Sequence, residues 1–157
     1  MVGGEDATKV MRELKENNIP VILKRVHRLP KNEDSKLYSP YEQAKILNEN
    51  NITFAFSYAG DMEAMGSRNL PFTAGTAVSY GLKYEHAISA LSLNTSIILG
   101  IEKKSGSIET GKDATFFIST GDALDMIGNN VEQAFIKGNV VDLNNHQKDL
   151  YEKYKNR

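Results

Sequence analysis

The sequence predicts an α/β fold in which a parallel sheet covered by helices is followed by a β-rich segment. A helix, turn and strand unit occurs twice, because the pattern Leu-x-Glu-Asn-Asn-Ile of residues 14–19 returns in residues 47–52, about 33 residues later. Both predicted strands are nearly continuous in apolar residues, which is typical of a sheet with helices packed on it. The composition then changes from α/β to β near residue 100. A barrel and an open doubly wound sheet both fit the first part.

The overall composition favours one soluble unit with a sizeable core. The chain has 157 residues, of which 40% are hydrophobic and 25% are charged. Its formal net charge is -1, so electrostatics favour neither a nucleic-acid partner nor a membrane surface. We expect small molecules or proteins as partners. The absence of cysteine excludes disulfides and thiolate chemistry but does not indicate a compartment.

The first predicted unit is a helix followed by a strand. Apolar residues recur with i, i+3, i+4, i+7 spacing from Ala7 to Leu14, which predicts a helix over about residues 5–16. Residues 19–23 then form an apolar run with Pro20 near its start, where a missing amide donor is tolerated in a strand. A long polar loop with several basic residues follows up to residue 36. Connections of this length often carry function.

The second unit begins with a strong helix-start signal. Ser39 is the expected N-cap, Pro40 suits the first helical position, and Glu42 is placed to complete a capping box. The helix should end at Asn50 and lead into a strand over residues 52–57. Loops that follow the carboxyl ends of parallel strands form the ligand sites of α/β folds. Residues 58–69 are therefore predicted to form the site region.

The remaining elements are expected to be structural. We predict helices over residues 70–80, 84–91 and 94–99, with Gly81 and Gly100 as left-handed caps. Residues 106–118 are predicted to form a hairpin around a Gly-Lys-Asp turn, and residues 131–136 and 140–143 a second one. A surface helix over residues 147–155 should lie against those strands. We expect a boundary near residue 100, between an α/β segment (1–100) and a β-rich segment with a terminal helix (101–157).

Four blocks with a fairly specific order and spacing lie between residues 69 and 143. They are Asn69-Leu70-Pro71-Phe72 with residues 74–75 and 77–82; Glu85-His86-Ala87 with residues 90–94 and 99–101; Gly106-Ser107-Ile108-Glu109 with Gly111-Lys112-Asp113-Ala114; and Gly121-Asp122 with residues 135–138. Together they resemble the C-terminal part of the metal-dependent amidohydrolase superfamily, in particular members similar to imidazolonepropionase.

The resemblance implies a specific architecture. Family members have a (β/α)8 barrel joined to a composite β-sandwich made from both chain termini. Residues 19–23 and 52–57 would then be the seventh and eighth barrel strands, and residues from about 106 onward the C-terminal part of the sandwich. A complete barrel takes about 250 residues. The chain would therefore contain only the last βα units.

The resemblance also implies chemistry that this chain carries only in part. Family members hydrolyse carbon–nitrogen and related bonds with divalent metals such as zinc, which activate a water molecule. The early His-x-His motif of the family has no counterpart among His27, His86 and His146. We therefore expect no metal to bind to this chain alone, and no activity without the missing part. Association with that part, or homo-oligomerisation, is expected in order to cover the open strand edges.

Asp61 is the candidate catalytic residue and metal ligand. The family places an aspartate directly after the eighth strand, where this sequence has Ser57, Tyr58 and Ala59 instead. Asp61 comes slightly later and would reach the site if the intervening residues formed a bulge. The alternative is that it caps a turn beside Gly60.

Four residues are candidates for substrate binding. His27 follows the seventh strand, where Arg25 or Arg28 could assist it, and the alternative is a solvated basic loop. Tyr58 stands at the end of the eighth strand. Arg68 and Asn69 precede the next helix, whose N-terminus would add to the attraction for an acidic substrate. Pairing of Arg68 with a neighbouring acid is the alternative.

Two function hypotheses follow from the sequence. The first is a C-terminal segment of an amidohydrolase-like hydrolase that acts on a small molecule. The second is a self-contained α/β domain that binds a small ligand or a protein without chemistry. The chain begins with no export signal, so a cytoplasmic location is the default expectation, and a signal further upstream would make it periplasmic or secreted.

Overall fold

The computed structural model describes residues 1–24, 26–58 and 63–156, and its N-terminal part is built on a three-stranded parallel sheet. The strands are β1 (Val2–Gly3), β2 (Val21–Leu23) and β3 (Phe54–Phe56), and they lie side by side in chain order. Sequence patterns did not indicate β1, because two residues are too few to show an alternation. The predicted parallel sheet is confirmed, with shorter strands than expected.

The register of the sheet matches the sequence repeat. Val21 and Phe54 occupy the same position in the two repeated units, and they pair with each other across the sheet. Leu23 pairs with Phe56 in the same register. The N–H of Val21 donates to Thr53 O at 2.9 Å. Neighbouring strands in consecutive chain order are what successive βα units of a barrel produce.

Helices cover one face of this sheet. After a 3-10 helix at Ala7–Lys9 they are α1 (Met11–Glu16), α2 (Ser39–Glu49), a 3-10 helix at Glu63–Asn69, α3 (Leu70–Ser79), α4 (Tyr84–Leu91) and α5 (Leu93–Leu99). The helix predicted over residues 5–16 is thus divided in two. Helix α2 begins one residue earlier than predicted, so Tyr38 rather than Ser39 is its N-cap. Gly100 closes α5 in the left-handed conformation, as expected.

The two helix-to-strand turns have the same structure. Asn18 and Asn51 both adopt the left-handed conformation, with φ of 50° and 56°. In each turn the isoleucine after this asparagine donates its N–H to the carbonyl oxygen of the leucine that opens the repeat. These bonds join Ile19 to Leu14 at 2.9 Å and Ile52 to Leu47 at 3.0 Å. The sequence repeat is therefore a structural repeat.

The core lies between the sheet and the helices. Phe54 and Phe56 point to the helical side, where their rings meet edge to face with centroids 5.7 Å apart. Small residues of the helices let these rings pack closely. The buried alanines on that side are Ala44, Ala74, Ala77, Ala87 and Ala90. The opposite face carries the row Val2, Ile22 and Ala55, in which Val2 is 69% exposed.

The C-terminal part contains a second, antiparallel sheet. Its strands are β4 (Phe116–Ser119), β5 (Val131–Ile136) and β6 (Asn139–Val140) in that order. The predicted turn at Lys137 and Gly138 is confirmed, because both residues have positive φ. The hairpin predicted across residues 106–118 is wrong. Strand β4 pairs instead with β5, and residues 106–115 form turns that approach α5.

The last element is helix α6 (His146–Tyr154), which Asn145 caps by accepting a hydrogen bond from Lys148 N at 3.0 Å. The helix was predicted to lie against the strands, yet none of its residues is buried. Leu150, Tyr151 and Tyr154 remain 39%, 67% and 44% exposed. Within the ranges given above, no helix is both long and apolar enough to cross a membrane.

Candidate functional site

The candidate site region lies where β2 and β3 end. Tyr58 and His27 both come shortly after these strands, and the chain continues from each into a loop and a helix. The carboxyl ends of parallel strands are the usual location of ligand sites in α/β proteins. The side chains of both residues reach helix α3, which follows β3 along the chain.

Tyr58 is held at the N-terminal part of α3. Its hydroxyl lies 3.1 Å from Thr73 Oγ1, and Thr73 is only 1% exposed. Thr73 donates its single hydroxyl proton to Asn69 O at 3.3 Å, so Tyr58 is the donor in the first bond. The Tyr58 ring also lies against Gly66, where an added Cβ would be 3.2 Å from Cε1. Tyr58 therefore connects the strand end to the 3-10 helix and to α3.

His27 is held one turn further along the same helix. Its Nε2 lies 2.7 Å from Thr76 Oγ1, and Thr76 donates to Phe72 O at 3.1 Å. The Thr76 oxygen therefore accepts from His27, which assigns the proton to Nε2 in the neutral ring. The imidazole also meets the Tyr41 ring edge to face, with centroids 6.2 Å apart. Nδ1 then remains as the acceptor of the neutral ring.

Two basic residues that follow His27 belong to an ionic cluster beside β1. Arg28 lies 4.0 Å from Glu5, and Lys31 lies 3.1 Å from Asp6. Lys9 approaches the same Asp6 carboxylate at 2.8 Å. Hydrogen bonds from Lys9 and then Lys31 hold the pKa of Asp6 below its usual range. These contacts fix the loop after β2 to the start of the chain.

Arg68 and Asn69 lie at the end of the 3-10 helix that precedes α3, and both are exposed. Asn69 is the N-cap residue of α3, but its side chain makes no capping hydrogen bond. Its carbonyl instead accepts from Thr73, the residue that also holds Tyr58. The structure thus brings Tyr58 and Asn69 together through Thr73, whereas His27 is held separately by Thr76.

Asp61 and Arg25, the predicted metal ligand and a predicted assistant of His27, lie outside the described residues. Within the described part of the chain, no group of three His, Cys, Asp or Glu side chains could hold a metal ion. His27, His86 and His146 stand on the β2 loop, on α4 and on α6, respectively. The described residues therefore do not form a metal centre by themselves.

A cleft of about 390 Å³ lies beside His27, between helices α3 and α4 and residues 122–126. On its wall the Tyr84 hydroxyl donates to Asp122 Oδ1 at 2.8 Å, and this bond raises the pKa of Tyr84. Leu124 is 5% exposed, and its backbone lies against Gly75, where an added Cβ would be 2.3 Å from Leu124 O. The cleft thus lies where the segment before β5 docks on the helices.

Several of these residues were not found from the sequence. Thr73, Thr76 and Tyr84 carry no motif of their own, and their roles depend on partners far away in the chain. The spacing of Thr73 and Thr76 does place both on one face of a helix, which was an available signal. Asp122 stood in one of the four blocks, without an assigned role.

A second groove of about 650 Å³ lies between α4, α5 and strand β4. Gly106 closes one end of it, with φ of 100° and no room for a side chain against Ser96. Ile108 and Phe117 line the groove and are 84% and 49% exposed. This wall is apolar, and β4 is an edge strand of its sheet.

Comparison with known proteins gives a family match and several similar structures. The model of the amidohydrolase family matches residues 2–141. An amidohydrolase from Thermotoga maritima MSB8 is 29% identical with a TM-score of 0.72, and the match covers 90% of this chain and 36% of that one. No curated protein sequence matches significantly.

Two more distant structures share the fold. A β-aspartyl dipeptidase from Fervidobacterium islandicum AW-1, solved in complex with β-Asp-Leu dipeptide, is 14% identical with a TM-score of 0.61, covering 91% of this chain and 41% of that one. E. coli guanine deaminase is 15% identical with a TM-score of 0.59, covering 88% and 37%. The chain therefore spans well under half the length of each of these three proteins.

Proposed function

The chain belongs to the amidohydrolase family, and we propose that it supplies the C-terminal part of a hydrolase that acts on carbon–nitrogen bonds of a small molecule. The family model covers most of the chain, from residue 2 to residue 141. The sheet order β1-β2-β3 and the helices on one side are what the last units of a barrel would contribute. This agreement between the family match and the sheet order carries the proposal.

The exposed end of one row of the sheet and the outer edge of β3 favour a partner polypeptide. The row Val2, Ile22 and Ala55 on the non-helical face runs from 69% exposed at Val2 to 3% exposed at Ala55, and in a closed barrel such a row packs inside. Among the described residues, no strand pairs with the outer edge of β3, and Asn94 Nδ2 donates to Phe54 O there at 3.2 Å. We propose that the remaining barrel strands, from the missing N-terminal part or from a second copy, complete this sheet.

The apolar groove beside β4 supports the same proposal for the second sheet. Edge strands with exposed apolar side chains tend to pair with another strand. Phe117 and Ile118 of β4 are 49% and 46% exposed. We propose that strands from the missing part pair here and make the composite sandwich. Without those strands, the chain is expected to be inactive and to self-associate.

The residues proposed to face the substrate border the end of β3. Arg68, exposed beside the start of α3, would attract an acidic group of the substrate, and Asn69 adds an amide next to it. Asp61 remains the proposed metal ligand and proton carrier. In this family the metal, when bound, would supply an activated water. The further ligands that such a metal needs are proposed to lie in the missing part.

Co-expression with the missing part tests this function. We would read the coding sequence upstream of codon 1, express it together with this chain, and assay the purified pair with zinc on β-aspartyl dipeptides and aminopurines. We expect hydrolysis by the pair and none by the chain alone. Asp61→Asn should lower kcat/KM roughly 100-fold or more, because it removes a metal ligand.

The matched control is Asp149→Asn, which changes the same side chain on the exposed helix α6 and should leave kcat/KM unaltered. Hydrolysis by the chain alone would overturn the proposed dependence on a partner. An upstream sequence without a His-x-His motif would favour the self-contained binding domain instead.

A further inference from the structure

Helix α3 presents two threonines to the two strand ends of the candidate site. Thr73 holds the hydroxyl of Tyr58 at 3.1 Å, and Thr76 holds His27 Nε2 at 2.7 Å. Residues three apart lie on one face of a helix, so both threonines point the same way. Tyr58 follows β3 and His27 follows β2, so one helix face is bonded to both loops.

The hydrogen-bond directions make both threonines acceptors for the loops. Each hydroxyl uses its proton on the carbonyl four residues earlier, Thr73 on Asn69 O and Thr76 on Phe72 O. Only the oxygen lone pairs are then left for the side chains from the strand ends. Back-bonded hydroxyls have a restricted rotamer, so the direction of each acceptor is fixed by the helix.

We propose that Thr73 and Thr76 are positioning residues that hold Tyr58, after β3, and His27, after β2, in place for substrate binding. The proposal rests on the proposed function only in taking these two loops as the site. Thr73 acts through Tyr58 and, through its bond to Asn69 O, on the end of the 3-10 helix. Thr76 acts through His27, whose ring is also in contact with Tyr41.

The fit of Tyr58 against Gly66 extends this arrangement to the other end of the β3–α3 connection. A Cβ at residue 66 would be 3.2 Å from Cε1 and 3.3 Å from Cδ1 of Tyr58, which is tighter than ordinary packing. The ring thus lies between the 3-10 helix and Thr73. The Tyr58 side chain therefore contacts both Gly66 of the 3-10 helix and Thr73 of α3.

Ser79 provides a control on the same helix. Its hydroxyl donates to Gly75 O at 3.2 Å, the same kind of back-bond, but the serine is exposed at the far end of α3. If the threonine hydroxyls acted only through their bonds to the carbonyls of α3, Ser79→Ala would have the same effects as the threonine variants. A positioning role predicts that only the threonine variants change the loops.

The experiment measures backbone amide exchange in the full chain for T73V, T76V, T73S, T76S and S79A. Valine keeps the shape of threonine without the acceptor, and serine keeps the acceptor. We expect T73V to speed exchange about fivefold over residues 57–58 and 63–69, from the loss of one hydrogen bond. T76V should do the same over residues 26–28. Both serine variants should restore slow exchange, and S79A should leave these segments unchanged.

The tautomer of His27 gives a second, spectroscopic readout. With three histidines in the chain, the long-range ¹H–¹⁵N spectrum of the rings can be assigned by single substitutions. We expect a predominant Nε2–H tautomer for His27 in the wild type and in T76S, and a mixture of both tautomers in T76V, where the acceptor is gone. His86 and His146, on other elements, should not respond.

Two results would overturn the proposal. Exchange at the wild-type rate in the valine variants, with or without faster exchange in the serine variants, would show that the threonine hydroxyls do not hold these residues. Faster exchange across β5 as well as the loops would show a general loss of stability without local positioning. Neither readout depends on hydrolysis or on a partner, so failure here is separate from failure of the proposed function.

Discussion

Gly106, in the turns before β4, has no room for a side chain. A Cβ there would lie 2.6 Å from Ser96 Cβ and 3.1 Å from Leu93 Cα, and φ is 100°. Beside it, Lys112 donates to Ser107 Oγ at 2.5 Å, and the same serine donates to Glu109 at 2.6 Å. Ser107 and then Lys112 lower the pKa of Glu109. The contacts among Ser107, Glu109 and Lys112 stabilise this turn.

Gly106→Ala should therefore destabilise the chain more than Gly111→Ala. Both residues have left-handed backbones, with φ of 100° and 91°, but nothing lies within 4 Å of a Cβ at Gly111. We expect a loss of about 1 kcal/mol at Gly111 from backbone strain alone and about 3 kcal/mol or more at Gly106. Urea unfolding measures both. Equal losses would contradict the packing of this turn on α5.

Asp6 gives a pH dependence whose sign follows from its pKa. Hydrogen bonds from Lys9 and then Lys31 lower that pKa in the folded chain. The cluster therefore contributes stability above the ordinary aspartate pKa, and the contribution is lost as the pH falls through the lowered folded value. An NMR titration of the Asp6 carboxyl carbon should show a midpoint below the ordinary value, rising in Lys31→Ala. An ordinary midpoint in the wild type would contradict the cluster.

At the scale of elements, the repeated turn is the most regular feature. Asn17 Nδ2 donates to Glu13 O at 2.9 Å, and its counterpart Asn50 donates to Ile46 O at 2.8 Å. The next residue of each turn, Asn18 or Asn51, is left-handed, and asparagine tolerates this conformation. The two turns close helices α1 and α2 in the same way, which explains why β2 and β3 pair in the register of the repeat.

Substitution of the left-handed asparagines should affect both turns alike. We expect Asn18→Ala and Asn51→Ala each to lower the free energy of unfolding by about 1 kcal/mol, because alanine lacks the local polar contacts that stabilise positive φ. Asn18→Gly and Asn51→Gly should be nearly neutral. Thermal and urea unfolding check this. Clearly different losses at the two positions would mean that the turns are not equivalent.

Most helices and strands were predictable because their signals are local. Apolar periodicity and glycine caps located α3 to α5, and the repeat located β2 and β3. The hairpin prediction over residues 106–118 failed because Gly106 serves the approach to Ser96, a tertiary contact that no local pattern reveals. The terminal helix was found, but its packing was not predictable from its own sequence.

The candidate site was predictable only as a region. Chain order placed His27 and Tyr58 after parallel strands, and the structure confirms that location. Their partners Thr76 and Thr73 lie 49 and 15 residues away. Hydrogen bonds over such distances depend on how α3 packs, so residue spacing cannot give them. The metal prediction at Asp61 stays a prediction.

At the scale of the whole molecule, residues 122–126 join the second sheet to the helices. Leu124 is buried among α3 residues, and its N–H donates to Asp122 Oδ1 at 2.8 Å. The same carboxylate accepts from Tyr84 of α4. This segment is therefore one contact through which the C-terminal sheet can unfold together with the helical layer.

Leu124→Ala should weaken that contact. We expect a loss of about 2–4 kcal/mol, because the change leaves a cavity at a buried site. Ile127→Ala is the matched control, since Ile127 is 95% exposed and should change stability by less than about 0.5 kcal/mol. Fluorescence and far-UV circular dichroism should give coincident transitions in the wild type. A negligible loss at Leu124 would show that the two sheets are not coupled here.

Native mass spectrometry of the isolated chain in excess zinc tests the central claim most directly, because it reports metal content and assembly together. The account predicts no tightly bound zinc, since no described group of residues fits a metal and the remaining ligands are proposed to lie in the missing part. It also predicts self-associated species, because the strand edges are open. A stable monomer that carries one tightly bound zinc ion would contradict it.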